Sequence, residues 1–298
     1  MLKNKILLGD CRTLASQLPE QSVQTIITSP PYWGLREYSR GNPFEIGREK
    51  TLEEYIRSIV SCFSSLKPVL KDTGSLWLNI GDSYKNKTLM GVPWRVALAL
   101  IEDGWILRND IIWHKPNAMP SSVKDRLTVD HEYIFFFTKR TEGYYYNADA
   151  IREEHVTFSD KSRMKGGRKH FSGEMKTPEQ GKNAGNTNLH TGDWSKAFNP
   201  KGRNKRTVWE VPLSKFPGLH FAVFPEKLIT PCILASSSEE DIILDPFMGS
   251  GTTAIAAIKN KRSYFGFELI PEYLEIAEQR ISQYWSQNSM PLFENSDV

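Results

Sequence analysis

The sequence predicts an α/β chain with a doubly wound, mostly parallel sheet and a basic, loop-rich insertion. Three observations carry this. Short β-branched runs alternate with stretches of helical spacing, first up to residue 150 and again after residue 206. A glycine-bearing turn, Asp245 to Thr253, falls between a strand-like run and a helix-like one. Between Ile151 and Arg206 the pattern stops. That segment holds seven glycines, and 13 Lys/Arg against 6 Asp/Glu, with few aliphatic residues.

Taken in order, Lys5 to Leu8 is a short apolar run stopped by Gly9-Asp10. Val23 to Thr28 is a β-branched run stopped by Ser29-Pro30-Pro31. Leu52 to Leu70 carries Leu52, Ile56, Ile59, Val60, Phe63 and Leu66 near helical spacing and ends before Gly74. Ser75 to Ile80 reads as a strand, and Pro93 to Ile101 as a helix with proline near its first turn. Trp105 to Trp113 and Glu132 to Thr138 read as strands, joined by a loop about twice the usual length. Beyond the insertion come a strand at Ile242 to Leu244, a helix at Thr252 to Lys259, a strand at Tyr264 to Phe267 and a helix at Pro271 to Tyr284.

Composition narrows the function. The chain has 298 residues, 39% of them hydrophobic, enough for a real core. Its three cysteines, Cys11, Cys62 and Cys232, are odd in number and lack metal-ligand spacing. A disulfide scaffold and a cysteine metal site are therefore not expected, nor is any metal. No apolar run reaches membrane-spanning length, and the charged start does not read as a signal peptide. A cytoplasmic protein without membrane contact is expected. The net charge is only +3, yet all the positive excess sits in the insertion. That asymmetry points to a polyanion, with nucleic acid first.

Two motifs carry chemistry. In Asp245-Pro246-Phe247-Met248-Gly249-Ser250-Gly251-Thr252 the glycines let backbone approach a ligand. Glu268 ends the next strand about 20 residues on, as expected of a carboxylate that binds ribose hydroxyls. The turn is shorter than a dinucleotide fingerprint and suits a nucleoside ligand without a pyrophosphate. A tight turn with nothing bound is the plain alternative. In Thr28-Ser29-Pro30-Pro31-Tyr32-Trp33, at a strand end, the prolines have no N–H, so their carbonyls are little used locally. The Ser29 hydroxyl and Pro30 carbonyl become stiff acceptors beside the flat ring of Tyr32. Such a set suits a planar, amine-bearing ring such as a flipped base. An extended Pro-Pro turn would account for it equally.

Together, SPPYW near the start and DPFMGSGTT near the end resemble the DNA amino-methyltransferases that use S-adenosylmethionine, in the β arrangement of that family. The resemblance implies the class I methyltransferase fold. It implies a catalytic part at 1–150, a target-recognition insertion at 151–206, a cofactor-binding part at 207–285 and a tail at 286–298. Ser29, Pro30, Pro31 and Tyr32 match the catalytic tetrapeptide. Asp10 resembles the acidic turn near the cofactor adenine, and Phe221, in His220 to Pro225, the segment at the methionine moiety. Asp245, Pro246, Phe247, Gly249, Ser250, Gly251 and Thr252 match the cofactor loop, and Glu268 the ribose-binding acid. Trp113 and His114 resemble the strand end lining the base pocket. Trp33 and Arg36 follow the catalytic motif toward the base or the DNA. Lys161, Arg163, Lys165, Arg168, Lys169, Lys201, Arg203, Lys205 and Arg206 are the expected phosphate contacts.

The implied reaction is methylation of an exocyclic amine on a flipped base in duplex DNA, without a covalent intermediate. A serine before Pro-Pro-Tyr is typical of cytosine-N4 enzymes in that family, which favours N4 over adenine N6. No general base is evident, so the proton is expected to leave to water. A carbon-5 mechanism needs a thiolate; Pro231-Cys232 offers one, but in an apolar helical stretch where a structural cysteine is expected. RNA methylation shares the amine chemistry and stays open. A catalytically silent DNA-binding protein would not require both motifs. A cognate restriction endonuclease and a homodimer are the further partners the resemblance allows.

Overall fold

The computed structural model describes residues 3–35, 41–154, 199, 201–213 and 224–289. Met1–Asn147 and Arg206–Val298 form one compact unit, Ala148–Lys205 another. In the first unit the order is β1 (Lys5–Leu8), α1 (Cys11–Leu14), β2 (Val23–Thr28), α2 (Leu52–Leu66), β3 (Leu70–Ile80), β4 (Tyr84–Lys85), β5 (Thr88–Leu89), α3 (Val92–Glu102), β6 (Ile106–His114), β7 (His131–Thr138), β8 (Val208–Glu210), α4 (Glu226–Ser236), β9 (Ile242–Asp245), α5 (Thr252–Lys259), β10 (Ser263–Glu268) and α6 (Pro271–Ser289).

Eight strands form one sheet in the order β1-β10-β9-β2-β3-β7-β6-β8, with β4 and β5 a separate hairpin. Every neighbour pair in the large sheet is parallel except the two that β7 makes with β3 and β6. β2 is buried at all six positions, as a central strand covered on both faces should be, and its polar Gln24, Thr25 and Thr28 are buried with Val23, Ile26 and Ile27. It lies between β9 and β3, strands remote from each other in sequence.

α2 shows how the sequence builds its elements. Thr51 and Glu54 form a reciprocal capping box that satisfies two N-terminal amides. Leu52, Tyr55, Ile59, Cys62, Phe63 and Leu66 bury one face. The helix stops at Leu66, four residues short of the sequence expectation, because Pro68 cannot continue it. Leu70 then opens β3, which is longer than the Ser75–Ile80 strand expected. β8, three residues paired in parallel with β6, was not anticipated at all.

In the second unit, Glu153 and Arg203 exchange backbone hydrogen bonds of 3.0 and 2.8 Å. Lys201 pairs with Asp149 at 2.9 Å. Arg203 and Lys205 both reach Glu153 at 3.2 Å. Among the described residues no helix is long and apolar enough to cross a membrane.

Phe137 of β7 is fully buried opposite Leu76 and Leu107. Phe137→Ala is expected to cost about 3–5 kcal/mol, read as a lower urea midpoint; a loss below about 1 kcal/mol would mean this part of the core collapses onto the gap.

Candidate active site

A cavity of about 620 Å³ opens where the parallel strands end. Its wall includes Gly9 and Asp10 after β1, Ser29 to Tyr32 after β2, Asn79 of β3, Asp245 at the end of β9 with Pro246 to Ser250 after it, and Glu268 at the end of β10. Both sequence motifs therefore face one space.

Their junction is built by Asp245. Its Oδ1 accepts the Thr28 hydroxyl at 2.6 Å and the Phe247 amide at 3.0 Å, and its Oδ2 accepts the Thr253 hydroxyl at 2.6 Å. Thr28 is the last residue of β2, so one buried carboxylate ties the strand that precedes Ser29-Pro30-Pro31-Tyr32 to the glycine turn. Burial pushes the Asp245 pKa up to about 6 against those hydrogen bonds. Asp245 thus organises the turn as well as lining the cavity.

The turn depends on two glycines. Gly249 and Gly251 adopt φ of +54° and +80°, the left-handed region. A Cβ on Gly251 would also come within 3.1 Å of Ala277. Gly251 caps α5. Ser250 is held from outside: Arg280 donates to its hydroxyl at 2.7 Å and to its carbonyl.

Glu268 faces the turn. Its Oε2 accepts the Gly249 amide at 2.7 Å and its Oε1 the Ile270 amide at 3.0 Å. Each oxygen keeps an acceptor site. Burial raises its pKa to about 7, with Asp245 adding to the rise. A buried carboxylate in that state gains from hydroxyl donors, and a ribose diol supplies two. The donor set therefore fits a nucleoside at this end of the cavity. Asp10 is placed differently: its carboxylate caps the Arg12 amide at 2.7 Å and pairs with the Arg12 guanidinium. It lines the wall with its charge already met.

At the other end Tyr32 is clamped by its hydroxyl. It donates to Glu132 Oε2 at 2.6 Å and receives Asn79 Nδ2 at 2.8 Å. Ser29 Oγ lies 3.2 Å from the same hydroxyl. Burial and the Glu132 charge push the Tyr32 phenol well above its usual range. Lys115 pairs with Glu132 and stands 4.7 Å from the centroid of the Trp113 ring. The Pro31 carbonyl accepts the Tyr55 hydroxyl at 3.0 Å. No hydrogen bond engages the Pro30 carbonyl among the described residues.

Trp113 lines the cavity, buried, with its indole N–H donating to the Val211 carbonyl at 2.7 Å. Three expected site residues do not: Gly251, which caps α5, Trp33 and His114. Trp33 is buried in the core, its indole N–H donating to the Glu49 carbonyl at 3.0 Å, because an aromatic after a turn packs as readily as it binds. His114 lies between Asp130 and Glu210, at 3.6 and 3.5 Å, away from the wall. Lys201, Arg203 and Lys205 carry the acidic partners described above, and Arg206 is exposed. Arg36, Lys161, Arg163, Lys165, Arg168, Lys169 and Phe221 lie outside the described residues. Asn79, Lys115, Glu132 and Tyr273 line the cavity without having been singled out. The other sulfur site is also set aside: Cys232 is buried within α4 and off the wall.

An open sheet of this order, with a glycine turn and carboxylate at one strand end and a Pro-Pro-Tyr motif at its neighbour, defines the class: a methyltransferase fold of the S-adenosylmethionine-dependent kind. Residues 23–279 match the N6/N4 DNA methylase family. The type II methyltransferase M.Cfr9I of Citrobacter freundii is 41% identical over 302 residues, covering 92% of this chain and 86% of its own. The solved PvuII DNA methyltransferase, described as cytosine-N4-specific, aligns with a TM-score of 0.64 at 20% identity, over 96% of this chain and 92% of its own. M1.HpyAVI in complex with SAM aligns at 0.55 and 20%, over 93% and 98%. The chain belongs to the N6/N4 DNA methylase family and is a DNA methyltransferase.

Two outcomes follow from this geometry. Asp245 and Glu268 have folded pKa values raised above the ordinary carboxylate range. Their contribution to stability is fully present below that range and is lost as pH rises through about 6 and about 7. The urea midpoint of the ligand-free protein should fall from pH 5 to pH 8, and Glu268→Gln should shrink the fall; an unchanged slope would remove Glu268 from the account. Separately, a Cβ on Gly81 would sit 2.8 Å from Tyr32 Cε2. Gly81→Ala should displace the ring and slow methyl transfer by at least about tenfold while cofactor affinity holds; a normal rate constant would show that the ring has room to shift.

Proposed function

We propose that this protein transfers a methyl group from S-adenosylmethionine to the N4 amine of a cytosine flipped out of duplex DNA. The carrying observation is that Ser29 to Tyr32 line one cavity together with Gly249, Ser250 and Glu268, with Thr28 hydrogen-bonded to Asp245 at their junction. When bound, S-adenosylmethionine supplies a methyl on a positively charged sulfur. Glu268 would hold its ribose hydroxyls, and the Gly249–Gly251 turn would admit it close to backbone. Tyr273 and Ile270 add apolar wall at that end.

The remaining chemistry belongs to the chain's own side chains. An exocyclic amine is a weak nucleophile because its lone pair is delocalised into the ring. Hydrogen bonds from that amine to Ser29 Oγ and the Pro30 carbonyl favour a pyramidal nitrogen whose lone pair is localised. Tyr32, clamped by its hydroxyl, offers a fixed ring against which the base stacks. Positioning of this kind is worth several kcal/mol. A paired base cannot reach such a pocket, which supports flipping. Ser29, a hydroxyl acceptor in the first place of the tetrapeptide, supports N4. So does the cytosine-N4 description of the PvuII enzyme, a structural neighbour. We assign contact with the DNA backbone to the basic segment from Ile151 to Arg206, on its sequence charge.

The test is to incubate the protein with unmethylated genomic DNA and methyl-labelled cofactor, then digest and identify the labelled nucleoside. N4-methylcytosine is expected. N6-methyladenine would overturn the assignment of the base, and label in RNA alone would overturn the assignment of the substrate.

A further inference from the structure

Glu132 enters none of the steps above, yet it is the only carboxylate bonded to the catalytic tyrosine among the described residues. Its Oε2 accepts the Tyr32 hydroxyl at 2.6 Å and Asn79 Nδ2 at 2.8 Å. Its Oε1 is paired with Lys115. Lys115 and Glu132 side chains are each only 15% exposed. Asn79 Nδ2 also reaches Tyr32 Oη at 2.8 Å and Ser29 Oγ at 3.3 Å, so one amide spans all three groups.

Donor and acceptor capacity fixes the direction of these bonds. An ionised carboxylate only accepts, so the Tyr32 hydrogen points to Glu132. Tyr32 Oη then has only acceptor sites left, and the Ser29 hydroxyl, 3.2 Å away, donates to it. Ser29 Oγ, with Asn79 Nδ2 on one acceptor site, keeps the other for another donor. In this chain an amine on the target base meets an acceptor, not a competing O–H.

Resting on the function proposed above, we propose that Glu132 is the terminus of a Ser29–Tyr32–Glu132 relay that keeps Ser29 Oγ an acceptor for the target amine and takes up the proton the amine releases. Once methylated, the base nitrogen carries one proton too many for a neutral product. Its N–H bond breaks, the electron pair stays on nitrogen, and the proton forms an O–H bond at Ser29 Oγ. The original Ser29 proton moves to Tyr32 Oη, and the Tyr32 proton to Glu132 Oε2. Ser29 and Tyr32 end as they began. Glu132 ends as the neutral acid and returns its proton to water. Lys115 holds the carboxylate in place throughout. Glu132 acts through Tyr32 and Ser29, which makes it a positioning residue and proton acceptor at one remove from the base.

The experiment compares the full-length wild type with Glu132→Gln and Glu132→Asp. In single-turnover reactions on methylatable duplex DNA, Glu132→Gln should slow methyl transfer roughly 100-fold. Its dissociation constants for DNA and for S-adenosylmethionine should stay within about threefold of wild type. Glu132→Asp should recover about tenfold of the loss. In the cofactor-free protein, ultraviolet titration should show one phenol, absent in Tyr32→Phe, titrating at lower pH in Glu132→Gln than in wild type. Should the Gln variant fail to fold, the Asp variant is read in the same way. A wild-type rate with an unmoved phenol overturns the relay. Loss confined to DNA binding also overturns it, since Glu132 would then be scaffold. If the wild type methylates nothing, the proposed function falls, and the phenol titration alone judges the relay: a shift supports it and no shift overturns it.

Discussion

The hydrogen bond between Thr28 and Asp245 joins residues 217 positions apart and sets everything the site can do. It forms because β2 lies directly against β9, which brings the two strand ends side by side. A carboxylate at that depth is costly to leave unmet. Here three donors meet it: a hydroxyl from each side and the amide of the turn itself. The same interaction that satisfies a buried charge therefore sets the spacing between the glycine turn and the Ser29–Tyr32 segment on the cavity wall. Neither motif controls that spacing alone. The turn could exist without the tetrapeptide, and the tetrapeptide without the turn, but only sheet order makes them one site.

Much of this was legible in the amino acids. β-branched runs, glycine turns and capping residues are local signals, so β2, β9, α5 and β10 were placed closely, and the parallel character of the sheet followed from their alternation. The failures were of two kinds. α2 ends before its sequence pattern does, because Val69 and Leu70 fit a helical face as well as a strand and the break lies in Pro68. β8 escaped because three residues carry no periodicity. His114 follows Trp113 on β6, where side chains one position apart point to opposite faces, whereas Trp33 follows Tyr32 in a turn and packs into the core.

The partners of Tyr32 were invisible for a different reason. Asn79 comes from β3, Glu132 from β7 and Lys115 from just beyond β6. Register brings them together: Asn79 stands opposite Ile134, and Trp113 opposite Glu132. No spacing along the chain encodes such a meeting. The described basic residues make a similar point. Lys201, Arg203 and Lys205 are basic by count, but Asp149 and Glu153 already engage them, so sequence charge overstates the field this part of the segment presents.

β7 alone runs against its neighbours in the large sheet, and its reversal has an architectural consequence. A sheet of uniform direction delivers only strand exits to its working rim, each leading into a pliable connection. An inverted strand presents its beginning there instead. Glu132, second residue of β7, is thus borne on ladder-bonded backbone and not on a loop. The wall around Tyr32 is thereby held from one strand's outset, apart from the turn that carries Gly249.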